Sequence, residues 1–175
     1  MVALLRGVNV GGRNRLAMAD LRAIAAARGY ERVRTYIQSG NLVLWAPEGA
    51  PEDVAARLEE AIAAQTGLAS AVVVRTAHEL ASVVERNPYH KRGEDPSHLH
   101  VVFLNRAAEA SIPLEDLDAY APEEAVAIGR EIYLFLPSGM GRSKLATDLA
   151  RQKGPAGTTR NWRTVTTLLE MAMSA

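Results

Sequence analysis

The chain has 175 residues, and 48% of them are hydrophobic, which is enough for a buried core and too many for a disordered chain. Its 20 basic and 20 acidic side chains balance, so only a local basic patch could support binding to nucleic acid. The absence of cysteine excludes disulfides, thiolate zinc sites and cysteine nucleophiles. No apolar run reaches the ~20 residues of a membrane span, so we expect a cytoplasmic protein without a membrane partner.

The pattern of residues 1–76 predicts the order β-α-β-β-α-β, the split βαβ arrangement of a ferredoxin-like unit. Apolar runs and alternation predict strands at residues 2–5, 32–37, 42–45 and 71–74. Helical spacing predicts one helix from Met18 and another from Pro51, which end near Gly29 and Gly67. In the second strand, Ile37 is expected to face the core.

Residues 77–175 are predicted to form a second ferredoxin-like half. The predicted elements are a helix that begins at a Thr76–Glu79 capping box and stops at Asn87-Pro88, a strand 98–104, a short helix 114–120, a hairpin of 125–128 with 131–136, a helix from Gly141, and a final helix 159–173. That last helix takes the place of a fourth strand. The fold class is therefore α+β, with two antiparallel sheets and a C-terminal helix.

The first motif that could bind a ligand is Arg6–Asn14, which lies between a predicted strand and a predicted helix. It superficially resembles a phosphate loop, but Arg13 replaces the lysine and Asn14 replaces the magnesium-binding hydroxyl. We therefore exclude a nucleoside triphosphatase. Glycines still allow backbone amides to converge on an anion; alternatively, they only permit a tight turn and Arg6 pairs locally.

The second motif is Thr35–Asn41. With Ile37 toward the core, Tyr36 and Gln38 would face the other side of the sheet, where neutral amides and hydroxyls bind polar ligands. Ser39 and Gly40 are equally explained as ordinary hairpin-turn residues.

The third motif has two parts, Gly139–Lys144 and Thr158–Thr164, and each brings cations to the predicted start of a helix. Cations there oppose the helix dipole unless an anion lies nearby. The alternative is that they pair with carboxylates such as Asp148 or face water.

Catalytic and metal-binding patterns are weak. His98 and His100 share a strand face without a third ligand nearby in sequence, so we expect a solvent-facing pair and neither metal nor cofactor. The acid–base candidates near the motifs are Tyr36, Lys144 and Asp148, and none has a recognisable partner. Whether the protein is an enzyme stays open.

Leu4–Gly12 resembles the opening signature of the bacterial family named domain of unknown function 1697. Four later segments resemble further signatures of this family, in the same order: Thr35–Asn41, Asn87-Pro88, Arg142–Lys144 and Thr159–Thr164. Arg13 stands where the family usually has lysine, which preserves the charge. The resemblance implies two ferredoxin-like halves and no known activity.

The leading hypothesis is a binding module for an anionic, hydrogen-bonding ligand: a nucleotide, a phosphorylated small molecule or a nucleic-acid segment. It rests on the recurrence of arginine with asparagine or glutamine in the motifs. The alternatives are a transferase or hydrolase with an unidentified acid and base, and a purely structural role in joining the halves. The predicted ligand-binding residues are Arg6, Asn9, Gly11, Gly12, Arg13, Asn14, Tyr36, Gln38, Ser39, Asn41, Arg142, Ser143, Lys144, Arg160, Asn161 and Trp162. The oligomeric state is left open.

Overall fold

The computed structural model describes residues 1–47, 49–106, 112, 114, 116–152 and 157–174. The chain divides into two compact units. The first unit comprises Met1–Ser82 and Thr167–Ala175, and the second comprises Val83–Thr166. No helix within the described ranges is long and apolar enough to cross a membrane.

The first unit has the predicted β-α-β-β-α-β order. Its elements are β1 (Val2–Leu5), α1 (Met18–Ala27), β2 (Glu31–Tyr36), β3 (Asn41–Trp45), α2 (Pro51–Thr66) and β4 (Val72–Arg75). The strands pair antiparallel in the order β2-β3-β1-β4, so β1 is central and β2 is an edge. The apolar run of β1 follows from its central place, because every one of its residues is buried.

Helices α1 and α2 cover one face of this sheet. The buried residues of that core are alternate strand residues and one stripe of each helix, among them Ala3, Leu5, Leu42, Leu44, Leu21, Ile24, Leu58 and Ile62. As predicted, Pro51 stands in the first turn of α2, and Gly67 ends that helix in the left-handed region at φ 71°.

The second unit builds its own antiparallel sheet. The remaining elements of the chain are α3 (Ala77–Arg86), α4 (Pro88–Lys91), β5 (Leu99–Leu104), β6 (Glu124–Ile128), β7 (Glu131–Phe135), α5 (Lys144–Arg151), β8 (Gly157–Asn161) and α6 (Trp162–Met173). The strand order β6-β7-β5-β8 repeats the order of the first sheet when each set is numbered along the chain. The capping box is confirmed, since the Thr76 hydroxyl accepts from the Glu79 amide and the Glu79 carboxylate accepts from the Thr76 amide.

The prediction that a helix replaces the last strand is wrong. Residues Gly157–Asn161 form β8, which pairs with β5 along its whole length. Thr158 and Thr159 are β-branched and suit a strand, so Thr159 is not a helix cap. Asn161 takes that role for α6, because its side-chain oxygen accepts from the amide of Thr164 at 2.8 Å.

Three further local predictions need correction. Ile37 does not face the core: β2 ends at Tyr36, and Ile37 turns into the left-handed region at φ 49° with 49% of its surface exposed. Among the described residues of 114–120, only Asp118–Tyr120 are helical, in a 3₁₀ turn. The helix predicted from Gly141 begins at Lys144, after a separate 3₁₀ turn over Met140–Arg142.

Candidate anion-binding surface

The loop that follows β1 is a closed turn with an unusual backbone. Between Arg6 and Arg15, five residues lie at positive φ, namely Gly7, Asn9, Gly11, Gly12 and Asn14, with φ between 51° and 75°. The Asn9 amide donates to the Asn14 carbonyl at 3.0 Å, which closes the turn. Glycine and asparagine are the residues that adopt this conformation most readily, so the sequence composition explains the loop shape.

The side chain of Asn9 fastens this loop to the β2–β3 hairpin. Its Nδ2 donates to the carbonyls of Leu16 and Gln38, each at 2.8 Å, and its Oδ1 accepts from the Leu16 amide at 2.9 Å. Both amide hydrogens of Asn9 therefore serve the protein itself. The residue positions the loop, which was not evident from its spacing in the sequence.

The hairpin turn lies directly against the start of the loop. The Leu5 amide donates to the Gly40 carbonyl at 2.9 Å. A Cβ on Gly40 would lie 2.8 Å from the Cβ of Leu5 and 3.4 Å from that of Val8. The first two sequence motifs thus meet at one end of the first sheet, and we call the surface formed by residues 6–15 and 37–40 the loop end.

The loop end presents cations without anions. The exposed side chains include Arg6, Arg13, Arg15 and Gln38, and among the described residues none of these arginines forms an ion pair. Neither segment contains Asp or Glu. The backbone of Arg6 is nevertheless fixed, because its amide donates to the Ala71 carbonyl at 2.9 Å and its own carbonyl accepts from the hydroxyl of Ser70.

Other predicted residues of the first unit are engaged by the protein. Asn41 is fully buried and its Nδ2 donates to the Tyr36 carbonyl at 3.1 Å. Asn14 Nδ2 donates to the Gly7 carbonyl at 3.0 Å. Arg34, immediately before the second motif, donates to the carbonyl of Met171 at 2.5 Å.

In the second unit, a carboxylate of the protein itself occupies the start of α5. Ser143 is buried and caps the helix by accepting from the Ala146 amide at 2.8 Å. The carboxylate of Glu123 accepts from the Leu145 amide at 2.9 Å, in the first turn. This carboxylate offsets the unfavourable interaction of the cations Arg142 and Lys144 with the helix dipole.

Lys144 belongs to an exposed network on α5. Its Nζ lies 3.9 Å from the Asp148 carboxylate and 4.8 Å from the centre of the Tyr120 ring. Tyr120 donates to the same carboxylate at 3.0 Å. Burial and this hydrogen bond raise the pKa of the Tyr120 phenol, which makes it a weaker acid that stays protonated near neutral pH. The sequence did not single out Tyr120 or Glu123, because neither lies near α5 along the chain.

The motif Arg160–Trp162 lies mostly inside the second unit. Arg160 Nη1 donates to the Thr158 hydroxyl at 2.6 Å and to the Thr159 carbonyl at 2.8 Å. Burial lowers the pKa of this guanidinium to about 10. Trp162 is buried and its ring lies 5.2 Å from that of His90. These contacts favour a structural role for the motif.

The prediction that His100 faces solvent is wrong. This histidine is buried, and its Nδ1 has no hydrogen-bond partner among the described residues. The described ranges also contain no group of three or more metal-ligating side chains.

The buried His100 predicts a loss of stability in acid. Burial lowers its pKa, so the unfolded chain takes up the proton first as pH falls below about 6.5. The free energy of unfolding is therefore unaffected by this titration above that pH and declines below it. We expect the urea midpoint to fall between pH 7.5 and 5.5 by less in His100→Gln than in the unchanged protein. His78→Gln, which removes an exposed histidine, is the control, and an equal effect of both variants on the urea midpoint would contradict this assignment.

Two antiparallel four-stranded sheets with the same strand order define an α+β protein with two ferredoxin-like halves. The chain belongs to the family described as protein of unknown function DUF1697, which matches residues 1–133. It is also similar to the conserved bacterial protein SP0830 from Streptococcus pneumoniae, with 22% identity and a TM-score of 0.71 over 98% of this chain and 97% of that one. At this identity the likeness concerns the fold alone. No protein of curated function matches the chain.

Proposed function

We propose that this protein is a binding module that takes an anionic, hydrogen-bonding ligand at the loop end. The ligand class is a nucleotide, a phosphate ester or a nucleic-acid segment. The observation that carries the proposal is the exposure of Arg6 and Arg13, without carboxylate partners among the described residues, on a loop whose backbone Asn9 holds in place.

The chemistry of the loop end suits a phosphate. A guanidinium binds two phosphate oxygens through paired N–H groups. The glycines at positions 11 and 12 carry no side chain that would keep an anion from the backbone amides, and no atom lies within 4 Å of the place of their missing Cβ. The exposed amide of Gln38 adds a donor and an acceptor that read a base edge or a sugar hydroxyl.

Removing the loop-end arginines should weaken binding. In calorimetric titrations with inorganic phosphate, AMP and an eight-nucleotide oligomer, we expect Arg6→Ala and Arg13→Ala each to raise the Kd about tenfold, since a hydrogen bond to a charged group contributes about 1.5–3 kcal/mol. Arg6→Lys should recover only part of the loss, because an ammonium keeps the charge but lacks the planar pair of N–H donors that matches two phosphate oxygens.

Arg151→Ala is the matched control, because it removes the same charge from an exposed position in the second unit. It should leave every Kd unchanged. Absence of heat with all three ligands, or equal losses in the control and the loop-end variants, would remove the proposal.

The motifs of the second unit are left out of this ligand site. Ser143, Arg160 and Asn161 each satisfy backbone or side-chain groups of the protein, which supports the structural alternative for them.

A further inference from the structure

The balanced charge of the chain conceals a strongly basic N-terminal segment. Residues 1–47 contain seven arginines, no lysine and only two carboxylates, Asp20 and Glu31, whereas the whole chain has 20 basic and 20 acidic side chains. Such an asymmetry is typical of a surface that faces a polyanion.

Beyond the loop end, three of these arginines lie on or next to the edge strand β2 and the helix α1 beside it. From α1, Arg22 reaches β2 and donates to the Thr35 hydroxyl at 2.7 Å. Arg28 is the C-cap residue of α1, on the short connection to β2 at Glu31. Arg32, within β2, lies with its guanidinium 5.8 Å from the centre of the Trp45 ring. All three are exposed.

Trp45 marks the end of this series opposite the loop end. It pairs with Glu31, the first residue of β2, while Tyr36 at the other end of the strand leads into the hairpin turn. Its side chain is 47% exposed, which is unusual for an indole. A flat aromatic surface beside a guanidinium is what unpaired bases stack on.

The edge of β2 is not built for pairing with another strand. The register shifts between Glu31 and Arg34, and Arg32 in this bulge has φ 49°. A bulge interrupts the regular row of edge hydrogen bonds and redirects a side chain outward. The edge therefore presents side chains rather than a backbone ladder.

We propose that the loop end is one terminus of a track for single-stranded nucleic acid, which runs along β2 from Arg6 and Arg13 to Arg32 and Trp45. The inference rests on the anion-binding function proposed above and extends it to a polymer. A six-residue strand spans about 17–20 Å, which is longer than a mononucleotide and suits a segment of about four or more nucleotides. The exposure of Arg22, Arg28 and Arg32 also fits a strand laid across a surface better than a small molecule enclosed in a pocket.

The two tryptophans give a direct measurement of this contact. Trp45 is exposed and Trp162 is 3% exposed within the other unit, so a stacked base should quench mainly Trp45. The full chain is titrated with AMP and with oligo(U) and oligo(dT) of 4, 8 and 12 nucleotides. We expect quenching by the oligomers, and an affinity that rises steeply up to the length that fills the track.

Variants test the two ends separately, with labelled octamers read by anisotropy. Trp45→Ala should weaken octamer binding at least about fivefold while the Kd for AMP stays unchanged, and Trp45→Phe should restore most of the loss. Arg32→Ala should reduce the slope of log K against log salt by about 0.7. Arg151→Ala should alter none of these values.

The outcomes distinguish failure of the nucleic-acid track from failure of the proposed anion-binding function. AMP binding that is lost in Arg13→Ala, together with oligomer affinity that does not depend on length or on Trp45, overturns the track and leaves the anion site. Equal binding of poly-glutamate overturns the assignment to nucleic acid. Oligo(U) and oligo(dT) differ in the sugar and in the thymine methyl group, so a difference in affinity shows that the track distinguishes the two polymers, and either order supports it.

Discussion

Gly40→Ala should destabilise the protein by about 3 kcal/mol. Gly40 has φ 70°, where an L side chain is strained by about 1–2 kcal/mol. Its new Cβ would also lie 2.8 Å from the Cβ of Leu5, a fixed atom in the central strand β1 that cannot swing away. Relieving the clash must separate the hairpin turn from β1, where the Leu5 amide donates to the Gly40 carbonyl.

Gly12→Ala is the control that separates the two causes. Gly12 has φ 75°, but no atom lies within 4 Å of the place where its Cβ would be. It should therefore show only the backbone strain of about 1 kcal/mol. The measurement is the free energy of unfolding from urea denaturation, and equal losses in the two variants would contradict the close approach of the turn to β1.

Asn9→Ala should cost about 2–3 kcal/mol, because it removes three hydrogen bonds worth about 1 kcal/mol each. The variant also leaves the carbonyls of Leu16 and Gln38 without the donor that now satisfies them. We expect a second result that a general loss of stability would not give. Native-state hydrogen exchange at residues 10–15 should accelerate more than exchange in β1, because the loop is released from the hairpin.

Asn14→Ala provides the comparison at a similar backbone conformation. Asn14 has φ 51° against 55° for Asn9, but its side chain makes a single hydrogen bond, to the Gly7 carbonyl. A loss of about 1 kcal/mol is expected. If the two asparagine variants were equally stable, the bond from Asn9 to the hairpin would contribute nothing.

The elements predicted well from sequence are those whose local pattern and place in the fold agree. The run Val2–Leu5 is uniformly apolar because it becomes a central strand, and Pro51 and Gly67 mark the ends of α2 by backbone preference alone. Strand β8 was missed because Thr158–Asn161 carries no apolar alternation. Its pairing with β5, more than fifty residues earlier in the sequence, is a tertiary effect that a local window does not contain.

The sequence indicated the local structure of the candidate site better than the contacts of its individual residues. Glycines and arginines in the first motif indicated a shaped, cationic loop, and the structure brings that loop against the second motif. Sequence spacing could not distinguish an asparagine that faces solvent from one that bonds to the backbone, because both suit a turn. Sequence spacing also predicted ligand binding for both Arg6 and Arg160, although Arg6 is exposed and Arg160 is buried.

The first unit is discontinuous along the chain, since Thr167–Ala175 belongs to it together with Met1–Ser82. Arg34 of β2 binds the carbonyl of Met171. This hydrogen bond cannot form until the ribosome has made all of the intervening second unit. During synthesis, which proceeds at about 5–20 residues per second, the nascent first sheet lacks this contact for several seconds. Completion of the first unit is thus coupled to residues that are translated after the whole of the second unit.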